Sequence, residues 1–153
     1  MTEVHAIPLI RLFGNLIVSI QVALSDEIVE RLMSSITDAI ERTTVTGLIL
    51  DFSGADMMDS HITRRVHDIA VTARLMGVDT VVCGLRASIV ITLTEMGLGL
   101  PGVASALNLE RALEVLVTKR YADTRPLSLP QGDGEPGGSG PAPAGEGGHV
   151  SRG

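Results

Sequence analysis

The chain has 153 residues, a formal net charge of −6 at neutral pH and 44% hydrophobic residues, but only 2% aromatics: no Trp, one Tyr and two Phe. An acidic chain with so little on which to stack a base is unsuited to nucleic acid, and no uncharged apolar run approaches the roughly twenty residues that span a bilayer. One cysteine, Cys83, excludes an internal disulfide, and the first residues lack the charged start and long apolar stretch of a signal peptide, so the expected compartment is the cytoplasm.

Ile7 to Phe13 and Leu16 to Gln21 are short apolar segments separated by Gly14-Asn15, a pair that tolerates positive φ. They predict an antiparallel hairpin. Ser25-Asp26-Glu27 then supplies a cap and an acidic first turn for a helix whose Ile28, Leu32, Ile36, Ala39 and Ile40 line one side and which ends near Thr43 to Thr46. Gly47 to Phe52 reads as a strand buried on both faces. After the break at Asp51 to Gly54, a helix is expected from about Ser60 to Met76, with Ile62, Val66, Ile69, Ala70 and Ala73 as its apolar stripe and Gly77 as its stop.

Thr80 to Gly84 is the next strand, in which Cys83 is a small buried hydrophobe. A third helix is expected from Ser88 to Met96, with Ile89, Val90, Leu93 and Met96 towards the sheet, then a short strand. A last helix begins after Asn108 on Leu109, Ala112, Leu113, Leu116 and Val117. Strand and helix alternate, so the fold class is α/β: one domain over residues 1–121, a small mixed sheet with helices packed mainly on one face. From Ala122 onward there are nine glycines, five prolines and no aromatic residue, too little apolar surface to order the chain, so 122–153 is expected to be a flexible, disordered tail.

Asp59 and Ser60 fall where the second helix should start. A first-turn residue in a strand-to-helix loop is exposed, and the backbone N–H groups there favour an anion, a phosphoryl group included. Ser60 is therefore a candidate phosphorylation site, although a helix cap alone accounts for Asp and Ser in this place. Asp56, Met57, Met58, Asp59 and His61 flank it as candidate partner contacts, methionine because its side chain adapts to an apolar surface. Other chemistry fits less well. Asp51, Asp56 and Asp59 as a metal site need no more explanation than an acidic loop. His61 beside Ser60 is poorly directed for proton transfer, since neighbouring helical residues point apart. Gly97-Leu98-Gly99-Leu100-Pro101-Gly102 has neither the Lys-Ser/Thr ending nor the following acid of a phosphate-binding fingerprint. No cofactor and no metal are expected, and any kinase must be another protein.

Ile7-Pro8-Leu9-Ile10, the run from Leu16 to Gln21, Asp56-Met57-Met58-Asp59-Ser60, Leu75-Met76-Gly77 and Glu95-Met96-Gly97-Leu98 together resemble the sulfate-transporter and anti-sigma-factor-antagonist (STAS) family, and within it the RsbS-like stressosome branch. The resemblance runs from about Ile7 to Arg120. It implies a non-catalytic scaffold subunit that sequesters an RsbT-like serine/threonine kinase, co-assembles with RsbR-like STAS paralogues or with itself, and releases the kinase on phosphorylation of the residue matching Ser60. A cognate phosphatase resets it. Simple anti-sigma-factor antagonists and ligand-binding STAS modules are the alternatives; the former usually continue Asp-Ser with a Ser-Gly-Leu-like stretch, where this chain has His61-Ile62-Thr63. Thr92 approximately matches a second phosphorylated site of the paralogues, and Ala87 stands where many relatives have Pro.

Overall fold

A computed structural model of the chain describes residues 7–55, 59–98 and 102–124, with three further positions at 140, 144 and 145. β1 (Leu9–Leu12), β2 (Asn15–Ser19), α1 (Asp26–Arg42), β3 (Gly47–Asp51), α2 (Ser60–Leu75), β4 (Asp79–Cys83), α3 (Ala87–Glu95), β5 (Ala104–Ala106) and α4 (Leu109–Asp123) follow in the expected order. The five strands lie in the sheet in chain order, with β1 antiparallel to β2 and every later neighbour parallel. α4 ends with Thr124 as its C-cap, a little past the boundary expected at residue 121.

The alternation of side chains along each strand sorts the core into two layers. Leu16 and Val18, Leu48 and Leu50, and Val82 face α1 and α2, where Val29, Leu32, Ile36, Ile62, Val66, Ile69, Ala70 and Ala73 meet them. Ile17, Ile49, Val81 and Cys83 face the other way and are covered by Ala112 and Leu116 of α4. One helix thus covers the sheet face opposite the main helical layer. Most of that face is core and not free surface.

The hairpin turns one residue earlier than the Gly14-Asn15 pair suggests. Leu12 pairs with Asn15, so Phe13 and Gly14 are the turn residues, at φ 49° and 76°. The physical reason is Asn15 itself, which is buried at the start of β2 with its side-chain oxygen accepting a hydrogen bond from Arg120 at 2.8 Å. A buried amide with a fixed partner is worth more in the strand than in a turn. The third helix also differs: only Ile89 of its expected inward residues is buried, while Val90 is exposed and Leu93 and Met96 are partly so. α3 is short and packs mainly on α2, beside the three-residue edge strand β5, so no broad sheet surface lies beneath it.

Arg120 ties the end of α4 to the base of the sheet. Its guanidinium donates to Phe13 O at 3.2 Å, to Asn15 Oδ1 at 2.8 Å and to Thr46 Oγ1 at 2.9 Å. Close by, Gly47 leaves no room for a side chain, because a Cβ there would lie 2.5 Å from Asn15 Oδ1 and 2.8 Å from Leu116 Cδ1. Arg120→Ala leaves the buried Asn15 oxygen without its donor and should lower unfolding stability in urea by roughly 1–3 kcal/mol; an unchanged midpoint would show that water replaces the guanidinium at no cost.

Candidate functional site

Parallel strands leave the sheet at a common edge, and the exits of β2, β3 and β4 pack against one another there. Asp51, at the end of β3, accepts hydrogen bonds from Ser53 N at 3.0 Å and Ser53 Oγ at 2.6 Å, which folds the chain back immediately after the strand. Gly84, at φ 70°, sits so close that a Cβ would lie 2.3 Å from Ser53 Oγ and 2.6 Å from Ser53 N. On the other side a Cβ at Gly54 would come within 3.0 Å of Gln21 Cα. The start of the loop towards α2 is therefore wedged between two neighbouring exits.

The loop delivers Asp59 as N-cap and Ser60 as first residue of α2. Asp59 Oδ1 accepts from Ile62 N at 2.8 Å, and its carbonyl accepts from Thr63 N at 3.0 Å and Thr63 Oγ1 at 2.8 Å. Thr63 is buried, so the cap is anchored from within the core. Ser60 is exposed, and among the described residues its hydroxyl makes no side-chain hydrogen bond.

His61 does not turn to Ser60. Its Nε2 lies 2.7 Å from Asp26 Oδ1, in the first turn of α1, and both side chains are exposed. Arg65 and Glu30 repeat the link one turn along, at 3.4 Å. The two helix N-termini thus stand side by side, with Asp26 and Glu27 on one and Asp59, Ser60 and His61 on the other. Asp26 is the residue that the sequence left out of the site. It was legible as a first-turn acid, but its meeting with His61 requires the α1 to α2 packing.

Of the other candidates, Asp56, Met57 and Met58 lie outside the described residues. Thr92 is partly exposed in α3, and its Oγ1 donates to Ser88 O at 3.0 Å. Among the described residues no group of three or more His, Cys, Asp or Glu side chains is placed to share a metal ion, and no helix is long and apolar enough to cross a membrane. An open groove of about 410 Å³ runs between α3 and β5, lined by Leu85, Val90, Leu93, Thr94, Leu98, Val103 and Ser105. It lies apart from Ser60.

Cys83 is chemically quiet. Burial first, and the neighbouring Asp51 carboxylate second, push its thiol up from 9.0 to about 12, so the nucleophilic thiolate is not populated at neutral pH.

The comparisons with known proteins converge. The family model for the STAS domain matches residues 4–101. Among solved structures, a serine-to-glutamate variant of Moorella thermoacetica RsbS is 32% identical, covers 75% of this chain and 97% of its own, and superposes with a TM-score of 0.68. A chain of the stressosome, described as a signal integration and transduction hub, is 31% identical over 74% of this chain and 98% of its own, with a TM-score of 0.62. The RsbT co-antagonist protein RsbRD of Bacillus subtilis is 24% identical over 82 residues, 54% of this chain; the match spans only 30% of RsbRD itself.

Two outcomes follow from the packed exits. Gly84→Ala combines positive φ with a backbone clash and should cost roughly 2–4 kcal/mol in a urea or thermal melt; a loss under about 0.5 kcal/mol would mean that the exits are not close-packed. Because the Cys83 pKa is raised in the folded state, its contribution to stability is complete below the unfolded value of 9.0 and is lost as pH rises towards about 12. A maleimide should accordingly label Cys83 only after denaturation, and rapid labelling of the native protein at pH 8 would contradict its burial.

Proposed function

The chain belongs to the STAS domain family, and from that premise we propose that it is a stress-signalling scaffold subunit of RsbS type, which holds a serine/threonine kinase at the start of α2 and releases it when Ser60 is phosphorylated. The observation that carries this reading is the placement of Ser60. It is exposed at the first position of a helix whose cap is made by its neighbour Asp59, so the hydroxyl is free to react while the cap does the structural work. Phosphate at that position meets the positive end of the helix dipole, and the folded domain tolerates it.

The complex does not. Phosphorylation adds about −1.5 to −2 charges to a surface that already carries Asp26, Glu27 and Asp59. A kinase seated there loses apolar and hydrogen-bonding contact to a strongly hydrated group and meets added negative charge. Release then comes from local electrostatics without refolding of the domain. Asp56, Met57 and Met58, which precede the cap, belong to the same contact surface in this reading, with His61 oriented by Asp26 at its edge. Ser60 is the substrate of the partner's chemistry, and the chain itself is not an enzyme. RsbR-like paralogues share the assembly, a cognate phosphatase restores the unmodified state, and the work is done in the cytoplasm without nucleic acid, membrane, cofactor or metal. The similarity to RsbS and to a stressosome chain supports the assembly part of the reading.

Calorimetric titration with an RsbT-like serine kinase tests the switch. Ser60→Ala should bind as wild type does, and Ser60→Asp should bind about tenfold to a hundredfold more weakly, a difference of ~1.4–2.8 kcal/mol. Equal affinity of both variants would remove Ser60 from the contact.

A further inference from the structure

The arginines at the starts of α1 and α2 differ in one respect. Arg31 pairs with Glu27 one turn away on α1, and Arg65 lies 3.4 Å from Glu30 across the helix pair. Arg64 is exposed and, among the described residues, makes no hydrogen bond or ion pair. Asp68, the acid one turn further along α2, lies 3.5 Å from His67 Nδ1 instead. Arg64 stands four residues after Ser60 on α2. That spacing puts both on one helix face, with Cβ atoms about 5–6 Å apart. Side chains on a helix tilt towards its N-terminus, which carries the long Arg64 side chain back over the first turn. No residue between them competes for that space, since Ile62 and Thr63 are buried and His61 reaches to Asp26 of α1. Arg65 is turned about 100° further round the helix, towards α1.

We propose that Arg64 receives the phosphate once Ser60 carries it, as a guanidinium clamp within the same helix. The inference deepens the reading of Ser60 as the switch and rests on it. Arg64 is a positioning residue here: it holds the phosphate and takes no part in its transfer. An unmodified hydroxyl offers the guanidinium no charge to pair with. A phosphate offers three acceptor oxygens, to which the planar guanidinium donates two parallel hydrogen bonds. The helix end alone is a weaker host, because Asp59 already accepts from Ile62 N and Thr63 N. Asp26, Glu27 and Asp59 oppose a second anion on this surface, and Arg64 is the cation beside it without an acid of its own. Modification then changes two charges of the surface together: the phosphate arrives and the guanidinium is taken up. The phosphate is drawn back along α2 and away from α1, so the His61 to Asp26 and Arg65 to Glu30 links stay in place.

The full chain with phosphoserine encoded at position 60 during translation tests the clamp without any kinase. Phosphorus NMR over a pH series reads the second ionisation of the phosphate, which lies near about pH 6 in a free phosphoserine. Asp26, Glu27, Asp59 and His61 surround the phosphate in every variant, so a difference between variants reports the substituted residue. The phosphate should have an acid constant about twofold to fivefold larger, and so a lower midpoint, in the wild-type background than in Arg64→Gln. Arg64→Lys keeps the charge and should titrate close to the wild-type background, as should Arg65→Gln, whose native side chain is held by Glu30. Equal midpoints with and without Arg64→Gln overturn the proposal. An Arg64→Lys protein that titrates with Arg64→Gln also overturns it, as does an Arg65→Gln protein whose midpoint moves as far. Incubation of the unmodified chain with ATP and an RsbT-like serine kinase reads the Ser60 switch separately. An Arg64-dependent midpoint in a chain that the kinase leaves unmodified supports the clamp while removing the switch, and phosphorylation of Ser60 with an Arg64-independent midpoint keeps the switch and overturns the clamp.

Discussion

The structure depends on β3 being buried from both sides. Leu48 and Leu50 pack under α1 and α2, Ile49 packs under α4, and all three are fully shielded from solvent. A strand without a solvated face has to sit between parallel neighbours with a helix layer above and below, and β2 and β4 take those places. Parallel order then brings the exits of β2, β3 and β4 to one edge of the sheet. The packing of Gly54 against Gln21 and of Gly84 against Ser53 is the local consequence. The position of Ser60 follows from the same burial, since the loop that delivers it starts from a wedge rather than from a free strand end.

The two ends of the domain carry different loads. At the strands' C-terminal edge, exposed acids and a hydroxyl gather on the first turns of α1 and α2, linked by an exposed His61 to Asp26 contact whose energetic worth is small, on the order of 0–1 kcal/mol. Such a link orients side chains and holds little of the fold together. At the opposite edge Arg120 joins helix, turn and strand through neutral acceptors, one of them buried. On the proposed reading this suits a surface that gains and loses a phosphate, because the charge of weak, solvated contacts can change without disturbing the core.

Much of this was legible in the sequence, for identifiable reasons. The helical stripe of α2, the caps at Ser25 and Asp59, the helix start after Asn108 and the stop at Gly77 are local patterns, and the structure bears them out, whereas in α1 Leu32 and Ile36 are buried as expected but Val29 takes the inward place expected of Ile28. The hairpin register was not, because Asn15 is drawn into the strand by Arg120, a partner 105 residues away. The depth of α3 was not either, since its apolar residues match a buried helix while the sheet beneath it ends in a strand of three residues. For the site, Asp59, Ser60 and His61 were found together and stand together, whereas Asp26 joins them only through helix packing. Four helices in sequence do not announce which face each covers; the choice of α4 for the second face follows from strand alternation at Ile17, Ile49 and Val81.

The central claim is that one hydroxyl at the start of α2 receives the phosphate. Intact mass spectrometry after incubation with ATP and an RsbT-like serine kinase, followed by peptide mapping, tests it directly on wild type and Ser60→Ala. The account predicts a single added phosphate on wild type, located at Ser60, and none on the variant. Modification of both proteins, or a phosphate mapped to Thr92 instead, would contradict it.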